Sequence, residues 1–318
     1  MNFANFAMRR KMKKNQSKRP LTFFFLCLFV AIFFNGSFLF PDESKNRPGG
    51  YLFMIGGGHR PRSLMEKFVS LASRTGPPRV IILTMASSVP EETGPALVKE
   101  FKELGVEKVD YYHFSREEAL KPETSSFLEG ATGIFFSGGD QSRLTAAILD
   151  TPFHEKLLDL YYQGAVIGGT SAGAAVMSEI MITGEEKRKV EEGQEWTTIE
   201  IENIITSRGL GFIKEAIVDQ HFLRRRRQNR LFSLILENPG LIGLGIDEST
   251  AVLARPDGKL EILGESQVMI IDARQALVIK DEKGKLGGLN IKLHLLLAGS
   301  TFDLKTGKVA TTLKPGVK

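Results

Sequence analysis

Ala165-Val-Ile-Gly168, Gly169-Thr-Ser-Ala-Gly173 and Ala174-Ala-Val-Met177 follow one another without a break. The first stretch is short and apolar, as a buried strand is. A helix opens at Ala172. Between them lies a Gly-x-Ser-x-Gly turn, in which the chain crowds itself and needs small residues on either side of Ser171. The Ser171 hydroxyl then stands at the carboxyl edge of a sheet. The free N–H groups and the positive dipole end of the following helix point at the same spot. Ser171 is therefore a candidate nucleophile, and its setting can stabilise an oxyanion in acyl transfer. The rival reading of these residues is a glycine-rich turn with a serine helix cap.

Outward from this turn the same rhythm repeats. Tyr51–Ile55 is an apolar strand ending in Gly56-Gly57-Gly58, and helical spacing follows over 62–74. Arg79–Thr84 reads as a strand, Pro95–Leu104 as a helix and Val109–Phe114 as a strand. Gly133–Phe136 is a strand, and helices follow over 142–149 and 153–162. Short apolar strands alternating with amphipathic helices predict an α/β domain over 51–318, with a mainly parallel sheet and helices on both faces. After Asp247 the pattern changes to strands at 251–254, 260–263, 268–271 and 291–297, which predict an antiparallel C-terminal extension of that sheet.

Ser137-Gly138-Gly139-Asp140-Gln141 leaves its strand as the Ser171 turn does. Gly139 or Asp140 is placed to offer an oxyanion donor beside Ala172; Asp140 as a helix cap is the alternative. Gly56-Gly57-Gly58 can line the same edge, but it lacks the spacing of a dinucleotide fingerprint.

A serine needs a base. Of the five histidines, His113, His154 and His294 sit in strand-like or helical runs, and His59 lies in the first loop. His221, in Val218-Asp-Gln-His-Phe222, stands at a strand exit among polar residues, where ligands bind in such folds. Its orienting acid is Glu248, with Asp247 second, from Gly245-Ile-Asp-Glu-Ser-Thr250. The run Arg224–Arg227 and Arg230 follows on a helical pattern, and at least one of these arginines must face inward with Leu231, Leu234 and Ile235. A planar guanidinium suits carboxylates, so a carboxylate-bearing substrate fits.

The chain has 318 residues, 42% of them apolar, enough for a sizeable core. Its formal charge of +5 misleads, because seven bases and no acids lie in residues 1–40. The rest is net −2, with 35 bases against 37 acids, so nothing in the folded part favours nucleic acid. After the basic cluster, Leu21–Phe34 is almost wholly apolar. Residues 1–40 read as a secretory signal or a membrane anchor, and 41–50 as a tether. This predicts an extracytoplasmic location, with membrane contact only through the leader. Cys27 is the single cysteine, so the body has no disulfide, thiolate or cysteine metal site. No cluster has metal-ligand spacing, and neither metal nor cofactor is expected.

Four blocks together resemble the cyanophycinase family of serine peptidases: Phe136-Ser-Gly-Gly-Asp-Gln141, Gly168-Gly-Thr-Ser-Ala-Gly-Ala174, Val218–Phe222 with Arg225, Arg227, Arg230 and Leu231, and Gly243-Leu-Gly-Ile-Asp-Glu-Ser-Thr-Ala251. The resemblance implies a three-layer αβα sandwich related to class I glutamine amidotransferases. It implies an exopeptidase that cuts cyanophycin, a poly-aspartate with arginine on each β-carboxyl, into β-Asp-Arg dipeptides. Ser171, His221 and Glu248 would be nucleophile, base and its partner. Asp140, Gln141, Asp219, Arg225, Arg227 and Arg230 would bind substrate, and a homodimer is common in the family. The leader, the charged stretch Glu185–Gly193 and His59 in place of an acidic residue depart from the pattern. They leave two alternatives: an aspartyl or isoaspartyl peptidase acting on short peptides, and a non-catalytic extracytoplasmic binding protein.

Overall fold

A computed structural model describes residues 49–188 and 195–314. The leader 1–40, most of the tether and residues 189–193 of the charged stretch lie outside the described residues.

The apolar runs become strands β1 (Tyr51–Ile55), β2 (Arg79–Leu83), β3 (Lys108–Tyr112), β4 (Gly133–Phe136) and β5 (Val166–Thr170). They pair in the order β1-β5-β4-β2-β3, all parallel. β1, β2, β4 and β5 are buried nearly end to end, which is why they read as continuous rather than alternating apolar runs. Helices α1 (Arg62–Ala72) and α2 (Pro90–Glu103) cover one face. There Phe68 meets Phe53, Phe101 and Phe135 with ring centroids 5.5–6.0 Å apart. After the short α3 (Arg116–Ala119), helices α4 (Gln141–Ile148), α5 (Pro152–Tyr162) and α6 (Ala172–Ala175) cover the other. The result is the expected αβα sandwich.

The remaining strands are β6 (Ile180–Glu186), β7 (Ile204–Arg208), β8 (Ala216–Gln220), β9 (Ile242–Ile246), β10 (Thr250–Ala254) and β11 (Lys259–Gly264). They continue as β12 (Gln267–Asp272), β13 (Leu277–Lys280), β14 (Leu286–Leu289), β15 (Lys292–Leu297), β16 (Ser300–Asp303) and β17 (Val309–Thr311). Helix α7 (Gln228–Glu237) lies between β8 and β9. The antiparallel extension is only partly as expected. β10, β11, β16 and β17 do extend the central sheet outward from β1. β12 and β15 leave it and join β8 and β9 in a second sheet, ordered β15-β12-β9-β8. Residues 247–249 step from one sheet to the other, with Ser249 at φ +54°. Apolar alternation reports that a strand is half-buried, not which sheet holds it.

Three helix boundaries also differ. α2 starts at Pro90, because proline fits a first helical position, and absorbs Pro95 at the loss of one N–H donor. α6 lasts four residues, since Ser178 Oγ donates to the carbonyls of Ala175 and Ile180 and turns the chain into β6. α7 starts at Gln228, so the arginine run lies in the turn before it. Asp247 Oδ1 accepts from the Leu223 and Arg224 N–H groups at 3.1 and 2.9 Å and holds that turn. Among the described residues no helix is long and apolar enough to cross a membrane.

Candidate active site

Ser171 sits after β5 at φ +55°, ψ −114°, a strained conformation for a residue with a Cβ. Its neighbours explain how the turn closes. A Cβ on Gly169 would come within 2.4 Å of the Gly173 carbonyl oxygen, and one on Gly173 within 2.4 Å of that of Phe136. The turn is fixed from below by the Ser171 N–H donating to Ile55 O at 3.0 Å.

β8 delivers His221 to the same point. His221 leaves the strand at φ +48°, its N–H donating to Gly56 O at 2.7 Å. Its Nε2 lies 2.9 Å from Ser171 Oγ, and its Nδ1 lies 2.6 Å from Glu248 Oε1. A carboxylate only accepts, so Nδ1 carries the ring proton and Nε2 is free to accept from the serine. The triglycine loop is the cradle for both partners. A Cβ on Gly57 would stand 2.3 Å from His221 Cε1, and one on Gly58 would stand 2.9 Å from Glu248 Cβ. Burial is the main cause that holds the His221 pKa below its ordinary value. The Glu248 hydrogen bond opposes it, and the charge of Arg225 reinforces it. The ring is thus kept neutral and able to take a proton.

Gly139, at φ +136°, tucks against Ala86, whose oxygen a Cβ there would meet at 1.9 Å. Asp140 N–H is spent on Ala86 O at 2.8 Å, which removes it as an oxyanion donor. The N–H groups of Gly139 and Ala172 donate to no acceptor among the described residues. A Cβ on Gly138 would stand 3.6 Å from Ser171 Cβ, so this loop borders the hydroxyl.

The six residues expected on substrate divide. Arg225 is exposed beside His221, to whose carbonyl its backbone N–H donates at 2.9 Å, and its side chain has no hydrogen-bond partner among the described residues. Asp140 is exposed but caps α4, accepting from Ser142 N–H at 2.8 Å. Gln141 spends both amide hydrogens on the carbonyls of Ile182 and Thr183. Arg227 is mostly buried and donates to Gln220 O at 2.7 Å; burial first, then the charge of Arg230, pushes its pKa down to about 10. Asp219 and Arg230 correct the expectation. Both are buried, and they bind each other through two hydrogen bonds, so neither meets substrate without breaking that pair. Asp247, the second candidate for the acid, is spent on the 222–227 turn and on Ser266 Oγ. His59 is exposed, and its carbonyl accepts from Ser249 Oγ at 3.0 Å. His154 binds Leu210 O at 2.9 Å and is structural. Gln220 was missed: its Oε1 lies 3.4 Å from Ser171 Oγ. Its place immediately before His221 was the available signal. Among the described residues no group of three or more His, Asp or Glu side chains is placed to hold a metal ion.

A serine, a neutral imidazole and a carboxylate in line at the carboxyl edge of an αβα sandwich define a serine hydrolase. The chain belongs to peptidase family S51, whose family model matches residues 52–263. It is 34% identical over 270 residues to the cyanophycinase of Thermosynechococcus vestitus, covering 82% of this chain and 81% of that one. It is 35% identical over 231 residues to the cyanophycinase of a Nostoc species, covering 71% and 75%. The crystal structure of a peptidase from an acI-B1 actinobacterium shares the fold at TM-score 0.56 and 20% identity, over 80% of this chain and 96% of that one. As a member of this family the chain is a serine peptidase, which sets aside the binding-protein alternative.

Proposed function

We propose that the protein is an exopeptidase that cuts cyanophycin into β-Asp-Arg dipeptides. The line from Ser171 through His221 to Glu248 carries the chemistry; similarity to cyanophycinases supports the substrate. His221 takes the Ser171 proton as Oγ attacks the carbonyl carbon of the scissile bond. The oxyanion settles on the Gly139 and Ala172 N–H groups. Collapse breaks the C–N bond, and His221 protonates the leaving amine. Water then gives its proton to His221 and cleaves the acyl ester, which restores Ser171. Glu248 offsets the imidazolium formed at each stage, and Arg225 meets a substrate carboxylate at the rim. Incubation with cyanophycin is expected to release β-Asp-Arg, and Ser171→Ala to release none. Intact polymer after incubation with a protein that a fluorophosphonate labels at Ser171 would remove the substrate and leave the hydrolase.

The same reading places the domain outside the cytoplasm, exported or anchored through residues 1–40. The order of a basic cluster and an apolar run supports it. Full-length protein in the soluble cytosolic fraction would overturn it. A homodimer belongs to it as well. Edge strand β15 exposes Leu293, Leu295 and Leu297 in alternation. Antiparallel pairing centred on Leu295 sets Leu293 of one copy against Leu297 of the other, a self-complementary row. Leu295→Arg is expected to sediment as a monomer; a wild-type monomer removes the dimer.

A further inference from the structure

Trp196, the only tryptophan of the sequence, lies between β6 and β7 and is not a member of the relay. Trp196 is half-buried, and its ring lies against the Arg230 guanidinium, 4.7 Å from Cζ to the ring centroid. Its backbone is held at both ends. The N–H donates to Glu186 Oε1, and the carbonyl accepts from Asn229 Nδ2 at 2.9 Å. These bonds hold it at φ +59°, an unfavourable value for a bulky side chain. Glu200, itself buried, pins the same segment through Arg188 at 2.6 Å, Thr198 at 2.8 Å and Lys285 at 3.1 Å.

What Trp196 touches leads to the catalytic centre. Arg230 is 1% exposed and spends Nε and Nη2 on Asp219, while its buried Nη1 has no hydrogen-bond partner among the described residues. A buried cation needs compensation, and the electron-rich ring face supplies it beside Asp219. Asp219 Oδ1 also accepts from the Gln220 N–H at 2.8 Å, and Arg227, 3.8 Å from Asp219, donates to the Gln220 carbonyl. Gln220 and His221 follow directly in the chain.

We propose that Trp196 is a positioning residue for His221: its ring keeps Arg230 on Asp219, and that pair sets the end of β8 from which Gln220 and His221 reach Ser171. This rests on the hydrolase reading of Ser171. The charged groups around His221 are Glu248, Arg225 and Arg227, with Asp219 two residues before it. When the ring is lost Arg230 is free to leave Asp219, whose charge, then offset only by Arg227 at 3.8 Å, favours the protonated imidazole.

The test compares Trp196→Phe and Trp196→Leu in the full chain, by the rate at which a fluorophosphonate labels Ser171 and by the pH dependence of that rate. Leucine is expected to slow labelling about tenfold and move its acid limb to higher pH, the size of one cation–π contact. Phenylalanine is expected to stay within about threefold of wild type, because it keeps a ring face. A leucine variant like wild type, or leucine and phenylalanine variants equally slowed, overturns the proposal. If leucine prevents folding, Asn229→Ala decides, since it frees only the Trp196 carbonyl. A slower rate with the same limb shift supports the proposal, and no change removes it. A wild-type protein inert to the probe sinks the hydrolase reading first, whereas a labelled wild type beside an indifferent leucine variant sinks only this one.

Discussion

Two carboxylates hold two basic groups around the end of β8, and the pairs are built for opposite purposes. Glu248 and His221 meet near the surface, with side chains 32% and 9% exposed. Asp219 and Arg230 meet below, at 0% and 2%. The upper pair must change charge during each turnover, so it needs access to substrate and a base that titrates. The lower pair must not change, and arginine, which stays charged, is the suitable partner there. Burial thus separates a working pair from a supporting one along a single strand end.

Substitutions can break this contrast. The largest effect is expected for Ser171→Ala, a fall of about 10⁶-fold in kcat with the melting temperature hardly changed. Glu248→Gln should lower kcat by about 10⁴-fold and again spare stability. Asp219→Asn should do the reverse at first sight, with a loss of about 3–5 kcal/mol in urea unfolding, because it leaves a buried guanidinium uncompensated. If Asp219→Asn proves neutral to stability, the lower pair is not structural and the contrast fails. Gly57→Ala should cut kcat/KM about 100-fold, since its Cβ displaces the imidazole rather than the core.

The smallest effect sharpens the comparison through pH. Folding lowers the His221 pKa, so its protonated form is disfavoured in the native state. The neutral base, and the stability tied to burying it, are present above the free imidazole value of 6.5 and are lost as pH falls below it. The acid limb of kcat/KM is therefore expected below 6.5, and Arg225→Ala, which removes a neighbouring positive charge, should move it upward.

How far the sequence could be read follows from the range of each contact. Gly169, Gly173 and the positive φ of Ser171 are one local turn, so the elbow was legible in five residues. His221 was legible because β8 ends in polar residues. The fate of Asp219 was not, because it depends on Arg230 eleven positions on and on Trp196 in another segment. The start of α7 was hidden for the same reason: Asp247, more than twenty residues away, caps the arginine turn. Nor could alternation reveal that β12 pairs with β9 while β10 pairs with β1.

That division of strands has a consequence for folding. Ser171 hangs from the central sheet, His221 from the second, and Glu248 from the short crossing between them. A chain in which only one sheet has formed holds a serine without a base, or a base without a serine. Proteolytic competence therefore requires that the two sheets have docked, and copies in which they have not lack an assembled relay.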